Sequence, residues 1–241
     1  MAGAGVQTFL IIGGVVLLGA LVQSFVGFGL GTLAAPVIAM VDVSLMPGMI
    51  ILLATVLPAM MIAREWEHAE FDLIGWAVAG RVVGTPLGVL LVVRLPDRGL
   101  GIATGVAVLL AVALSLVRLT VPVNRTNLIA TGAVSGVMAT SAGIGGPSIA
   151  LLFQHSPGRT VRASLGGFFT IGSLLSLVGL AIAGELGTRD FLYAAGTCPF
   201  LFAGFALAQP LRGKLDAGLL RPCVLALAAI AAVGVLVSSF A

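Results

Sequence analysis

The chain has 241 residues, 59% of them hydrophobic and only 9% charged, with a mean hydropathy of +1.20. Ordinary soluble domains carry about 25% charged residues; one soluble core could not hide this much apolar surface, so a bilayer is implied. The net charge of +3 does not point to nucleic acid, because the basic residues sit singly or in pairs between apolar runs, where they act as topology signals.

Apolar runs cover residues 7–41, 45–63, 73–93, 100–119, 127–153, 163–184, 191–209 and 219–240. Eight spans of roughly 20 residues use about 160 residues and leave short loops with no separate soluble domain. The first run has no basic stretch before it and is long for a signal sequence, so it reads as a retained first span. It is also too long for one ordinary span, and it is broken at Gly27-Phe28-Gly29-Leu30-Gly31, with Pro36 beyond. Gln23, Ser24 and Thr32 flank this break. The third run carries Arg81 near its centre, the one mid-span charge, with Thr85 a turn along the same face. Burying an arginine at mid-depth costs at least about 2.5–3.5 kcal/mol on insertion scales. No carboxylate stands at that depth, so a bound anion or backbone carbonyls are the candidates to balance it.

The fifth run repeats the pattern of the first. It is long and is broken at Gly143-Ile144-Gly145-Gly146-Pro147, flanked by Thr140, Ser141 and Ser148. A shift of 116 residues places Gly27 on Gly143, Gly29 on Gly145, Gly80 on Gly196 and Gly88 on Gly204. With 33 glycines these matches are weak by themselves, but the span boundaries coincide at the same shift. The expected fold is an all-α polytopic membrane protein of two homologous four-segment repeats, 1–120 and 121–241, each opening with a glycine-broken helix. Charge asymmetry puts Arg94, Arg98, Arg159, Arg162, Arg212, Lys214 and Arg221 on a cytoplasmic side. Glu65, Glu67, Glu70, Asp72, Glu185 and Asp190 then face outward, as do both termini. Arg118 and Arg125 fall on the wrong side of that division. Four spans per half make the repeats parallel, the arrangement preferred here; re-entrant hairpins at the breaks would make the count odd and invert them.

Irregular backbone at membrane depth survives only where it is buried in protein or lines a wet cavity, and paired breaks in two halves point to a transport site. Helices that begin at such breaks offer free N–H groups and a partial positive charge to an anion. The candidate substrate-binding residues are therefore Gly27, Gly29, Gly143, Gly145 and Gly146 through their backbone, Ser24, Thr140, Ser141 and Ser148 through hydroxyls, and Arg81 through its field. The alternative for each glycine is close helix packing. Gln154 and His155, beside Arg159 and Arg162, read first as a topology signal and second as an anion-collecting patch. Trp66 and Trp76 read as interfacial anchors. Cys198 and Cys223 lie in apolar segments without a CxxC or Cys/His cluster, so no disulfide framework, metal or cofactor is expected.

The segment Thr140-Ser141-Ala142-Gly143-Ile144-Gly145-Gly146-Pro147, followed by Arg162-Ala163-Ser164, resembles the TauE/SafE sulfite exporter family, and Gly27-Phe28-Gly29 with Pro36 looks like its N-terminal motif. The resemblance covers essentially the whole chain. It implies a transporter, not an enzyme, that exports small sulfur-containing anions such as sulfite, sulfoacetate or related organosulfonates from a bacterial inner membrane. The partners implied are a small anion and the lipid bilayer, with no nucleic acid; monomer and homodimer both stay open. Without intramembrane acids, export can draw on membrane potential. Three alternatives remain: an anion channel, a membrane enzyme and a structural subunit. His68 and His155 are expected on opposite faces, which argues against the enzyme.

Overall fold

The computed structural model describes residues 2–116, 121–153, 156–211 and 217–240. Within them lie ten α-helices and no strand: α1 Ala2–Val26, α2 Leu30–Val41, α3 Gly48–Glu65, α4 Phe71–Arg94, α5 Asp97–Leu116, α6 Arg125–Ala142, α7 Gly146–Ala150, α8 Gly158–Ala183, α9 Thr188–Leu211 and α10 Ala217–Phe240. Six are long and apolar enough to cross a membrane: α1, α3, α4, α5, α8 and α9. Large apolar side chains such as Leu18, Val83, Leu110, Val178 and Phe202 stand exposed on them, as a lipid-facing surface requires. Helix α6 is less apolar, and its second half is interior: Ser135, Gly136, Thr140 and Ser141 are all buried, while Ile129 and Val134 ahead of them are exposed.

The eight apolar runs thus become ten helices, because each broken run folds back on itself. At 1.5 Å per residue, the 12-residue α2 and 5-residue α7 reach about 18 and 8 Å, well short of a hydrocarbon core of about 30 Å. Helix α1 closes with Gly27 N–H donating to the Gln23 carbonyl at 2.8 Å, and Gly27 (φ 99°) and Gly29 (φ 145°) turn the chain. Leu30 then lies against Gly19, eleven residues back along α1, so α2 returns beside the helix it came from. Side chains rarely adopt such φ values, which is why glycine stands at both positions. In the second half Asn124 caps α6, accepting from Asn127 N–H at 2.8 Å, and Gly143 (φ 73°) ends it.

Packing fixes the direction of every long helix. Gly80, Gly84 and Gly88 of α4 meet Ile129, Ala133 and Val137 of α6 in ascending order, so these two run parallel at near-backbone contact. Gly196 and Gly204 of α9 meet Phe9 and Leu17 of α1, also in ascending order. Helices α3 and α8 run antiparallel, joined by Glu65–Arg162 at one end and by Ser173 Oγ donating to the Ala54 carbonyl further along. Helices α5 and α10 are antiparallel too, with Gly101 against Ser239 and Gly105 against Leu236.

We call the face where α1 begins the near face. Helices α1, α3, α5 and α9 then run from near to far, and α4, α6, α8 and α10 from far to near. Matching the halves in chain order pairs α1 with α6, α3 with α8, α4 with α9 and α5 with α10, each pair opposite in direction. Each half of the chain thus holds five helices where four segments were expected, and the helices taken in this order point in opposed directions, the outcome expected of re-entrant hairpins. The charge division is corrected with them. Arg162 donates two hydrogen bonds to Glu65, at 3.0 Å from Nε and 2.8 Å from Nη2, so the two share the far face instead of standing across the membrane. Arg125 lies on that face too, as expected beside Glu65, with its guanidinium over Trp76 at 4.7 Å. Arg94 and Arg98 join Glu185 and Asp190 on the near face. The misassignment has one cause: each hairpin adds a reversal that hydropathy does not record. Arg118, Gln154, His155, Arg212 and Lys214 lie outside the described residues, so the expected separation of His68 from His155 finds no counterpart here.

Candidate functional site at the meeting of the two hairpins

The two glycine breaks meet inside the protein. Gly31 at the start of α2 packs on the Gly143 carbonyl, and Phe28 packs on Gly146. Between them lies a small cavity of about 40 Å3. Its walls come from both hairpins (Gln23, Phe28, Gly29, Gly31, Thr32, Gly143, Ile144, Gly145 and Gly146), from Ile51, Ala54 and Pro58 of α3, and from Arg81, Phe169 and Ser173. Helices α3, α4 and α8 thus flank the hairpins.

Arg81 is the charged member. It is 2% exposed, placed by the close α4–α6 contact that its neighbours Gly80 and Gly84 permit. Space for its guanidinium exists because residue 172 is glycine; a Cβ there would fall on the guanidinium itself. Its Nη1 donates to Ser135 Oγ at a long 3.4 Å, and the Phe168 ring centroid lies 5.2 Å from Cζ. Its Nε has no hydrogen-bond partner. Arg81 takes part in neither the Arg162–Glu65 nor the Arg189–Asp42 ion pair and has no carboxylate partner among the described residues. A cation–π contact is worth about 2 kcal/mol when desolvated, while stripping water from an ion costs several kcal/mol. The site is therefore a buried positive charge short of compensation, at the wall of a cavity.

Ser135 extends the site. Its hydroxyl donates to the Gly145 carbonyl at 2.7 Å and accepts from Arg81, which ties the guanidinium to the second break. Ser148 Oγ donates to the same carbonyl at 3.3 Å. Gln23 Oε1 accepts from the Leu30 N–H at 3.0 Å and so caps α2. Gly31 and Thr32 then line the cavity in the first turn of α2, where backbone N–H groups lack an intrahelical acceptor.

Of the residues singled out in the sequence, Gly29, Gly143, Gly145, Gly146 and Arg81 converge on this cavity. Gly27, Ser24, Thr140, Ser141 and Ser148 lie beside it, outside its described lining. Gly27 packs on Leu165 and Val161 of α8. Ser24 and Ser141 donate back to the Ala20 and Val137 carbonyls at 2.7 and 2.8 Å, the usual arrangement of a hydroxyl within a helix. Thr140 shares a 2.7 Å hydrogen bond with Ser176. Sequence reasoning missed Ser135, Gly172, Ser173 and Phe168. The glycines spaced by four on α4, with Gly132 and Gly136 on α6, are the signal that brings Ser135 to Arg81; nothing comparable marks Gly172.

An all-helical, lipid-exposed chain with two re-entrant hairpins around a buried cation has the build of a polytopic transport protein. A family model described as sulfite exporter TauE/SafE matches residues 11–235 of 241, and the chain belongs to that family of membrane transporters of sulfur-containing anions. Neither curated proteins nor solved structures give a significant match.

Proposed function

We propose that the chain exports a small sulfur-containing anion — sulfite, sulfoacetate or a related organosulfonate — across a bacterial inner membrane, holding it where the two hairpins meet. The observation that carries this reading is Arg81, a mid-span guanidinium that is buried, unpaired by any described carboxylate and short of one hydrogen bond. Backbone at Gly29, Gly31, Gly143, Gly145 and Gly146 lies close enough to the cavity for an anion to be wrapped without side chains intervening. The hydroxyls of Ser24, Thr140, Ser141 and Ser148 support the hairpins from behind.

Residues 1–120 and 121–241 act as inverted repeats in this reading, and alternating access is their exchange of roles across the membrane. The opposed directions of matched helices support it. The far face is cytoplasmic: Arg64, Arg125, Arg159 and Arg162 lie there, and the segments joining α5 to α6 and α9 to α10 carry Arg118, Arg212 and Lys214 in the sequence. The near face has Arg94, Arg98 and Arg189, set against Asp42, Asp97, Glu185 and Asp190. An anion leaving a negative-inside cell gains about 2.3 kcal/mol per charge per 100 mV, which suffices as a driving force.

A thermal-shift panel on the purified protein tests the site, with sulfite, sulfate, sulfoacetate, taurine, thiosulfate and simple carboxylates. At least one sulfur oxyanion should raise Tm, and Arg81→Ala should lose that rise while still folding. A panel in which no sulfur anion stabilises the protein would overturn the reading. Uptake into proteoliposomes should follow an imposed voltage; a requirement for a pH gradient with indifference to voltage would remove the proposed driving force.

A further inference from the structure

Beyond the central cavity lies a second one of about 170 Å3, lined by Val26, Ser115, Pro147, Leu151 and Val161 among others. These residues come from the far-face ends of α1, α5 and α8 and from the stretch running through α7, so this cavity lies between the hairpins and the far face. Phe28 lines both cavities. Phe28 is thus a wall that the Arg81 chamber and the far-face chamber share.

The local backbone suits a moving part. Phe28 is held between Gly27 and Gly29, both at positive φ, so the tip of the hairpin is a single large side chain on two permissive hinges. Opposite it the wall is bare: a Cβ on Gly146 would lie 2.7 Å from Phe28 Cβ and 3.0 Å from its ring. Phe28 is itself one of the partly buried side chains packed against the apolar cluster that contains Phe168 and Phe169. The corresponding tip of the second hairpin is Ile144, also between glycines. Ile144 is 1% exposed and belongs to the main apolar core. On the near side the tip is thus sealed in packed core, whereas on the far side one half-buried ring separates two voids.

We propose that Phe28 is the far-face gate of the permeation path, the one side chain whose rotation joins the Arg81 chamber to the far-face cavity. The proposal rests on reading the central cavity as the transport site, but its test requires no substrate. In a chain carrying Cys198→Ser and Cys223→Ser, a reporter cysteine is placed at Ala54, on the central wall. Its reaction with a small anionic methanethiosulfonate is timed in detergent, where both faces are open. Phe28→Ala should speed modification about tenfold, equivalent to about 1.4 kcal/mol of closing free energy. Phe202→Ala, which removes a lipid-facing ring, should leave the rate unchanged. Equal rates in Phe28→Ala and its parent would overturn the gate, as would equal acceleration by Phe202→Ala. If Phe28→Ala fails to fold, Phe28→Leu and Phe28→Trp decide: rates must fall in the order Leu, Phe, Trp, and any other order sinks the proposal. Failure of the anion panel would leave this result standing, and failure of the gate would leave the anion site standing.

Discussion

Arg81 and Gly172 are two halves of one residue-scale feature. The guanidinium occupies the volume that any side chain at 172 would take. Gly172→Ala should therefore displace Arg81 or push α8 away from α4, a small-to-large change that costs about 1–3 kcal/mol. A lower Tm for Gly172→Ala, with Gly75→Ala unchanged as a control, checks this, since nothing lies within 4 Å of a Cβ on Gly75. Arg81→Lys separates charge from shape. An ammonium keeps the field but cannot offer the planar fork of a guanidinium, so any anion-induced Tm rise should shrink without vanishing. A full-sized rise in Arg81→Lys would mean that charge alone matters, and an unchanged rise in Arg81→Ala would remove residue 81 from the site. Of this arrangement Arg81 was legible in the sequence, because a mid-span charge is rare enough to stand out. The hydroxyls were not: Ser24, Ser141, Thr140 and Ser148 share a composition with site residues, but their hydrogen bonds go to carbonyls and to Ser176. Whether a serine faces inward to its own helix or outward to a cavity is a matter of rotamer and neighbour.

At the scale of elements, the closest helix pair is α4 with α6, and its contact is made of backbone. Gly80 and Gly84 meet the Ile129 and Ala133 carbonyls, and Gly132 meets the Ala77 carbonyl. Carbonyl oxygens of a helix cannot move aside as a flexible side chain can. Gly84→Ala should therefore force the helices apart and cost about 1–3 kcal/mol, read as a lower Tm, and the displacement should carry Arg81 away from Ser135. Gly14→Ala, with open space around its Cβ, should be neutral or slightly stabilising through helix propensity. Equal Tm values for the two variants would show that the α4–α6 contact is not tight. The glycine spacing on α4 was visible in the sequence, yet spacing does not name a partner; α6 is recognised as that partner only when the carbonyls are seen beneath the glycines. The breaks themselves were plain in the sequence. Their consequence was not, because hydropathy measures affinity for lipid and carries no direction. A glycine break reads the same whether the chain continues through it or turns back, and here the decisive contact is Leu30 on Gly19.

At the scale of the whole molecule, that reversal decides which loops share a face. With single interrupted spans, residues 67 and 159 stand on opposite faces; with two hairpins they stand together. The Arg162–Glu65 pair marks the shared face and ties α8 to α3, with both side chains only 12–13% exposed. A bidentate, largely buried pair joining α3 to α8 ties that face together more firmly than a surface pair would. Breaking it with Glu65→Gln should lower Tm, and the exchange Glu65→Arg with Arg162→Glu should recover part of the loss. Cysteine labelling in a chain freed of Cys198 and Cys223 tests the topology directly. Single cysteines at Glu67 and Arg159, on the far face, and at Glu185 and Arg98, on the near face, are treated with a membrane-impermeant maleimide. In spheroplasts the reagent should reach 185 and 98, and in inside-out vesicles 67 and 159. Labelling of 67 and 185 together would restore the single-span reading and with it parallel repeats. The four sites keeping their pairs but exchanging faces would preserve the hairpins and reverse only the orientation. The hairpins also set what exchange between faces requires. Under the alternating access proposed above, helices that run in opposite directions would let one half take, seen from one side, the position the other takes from the opposite side, so that the anion stays in place while its access changes.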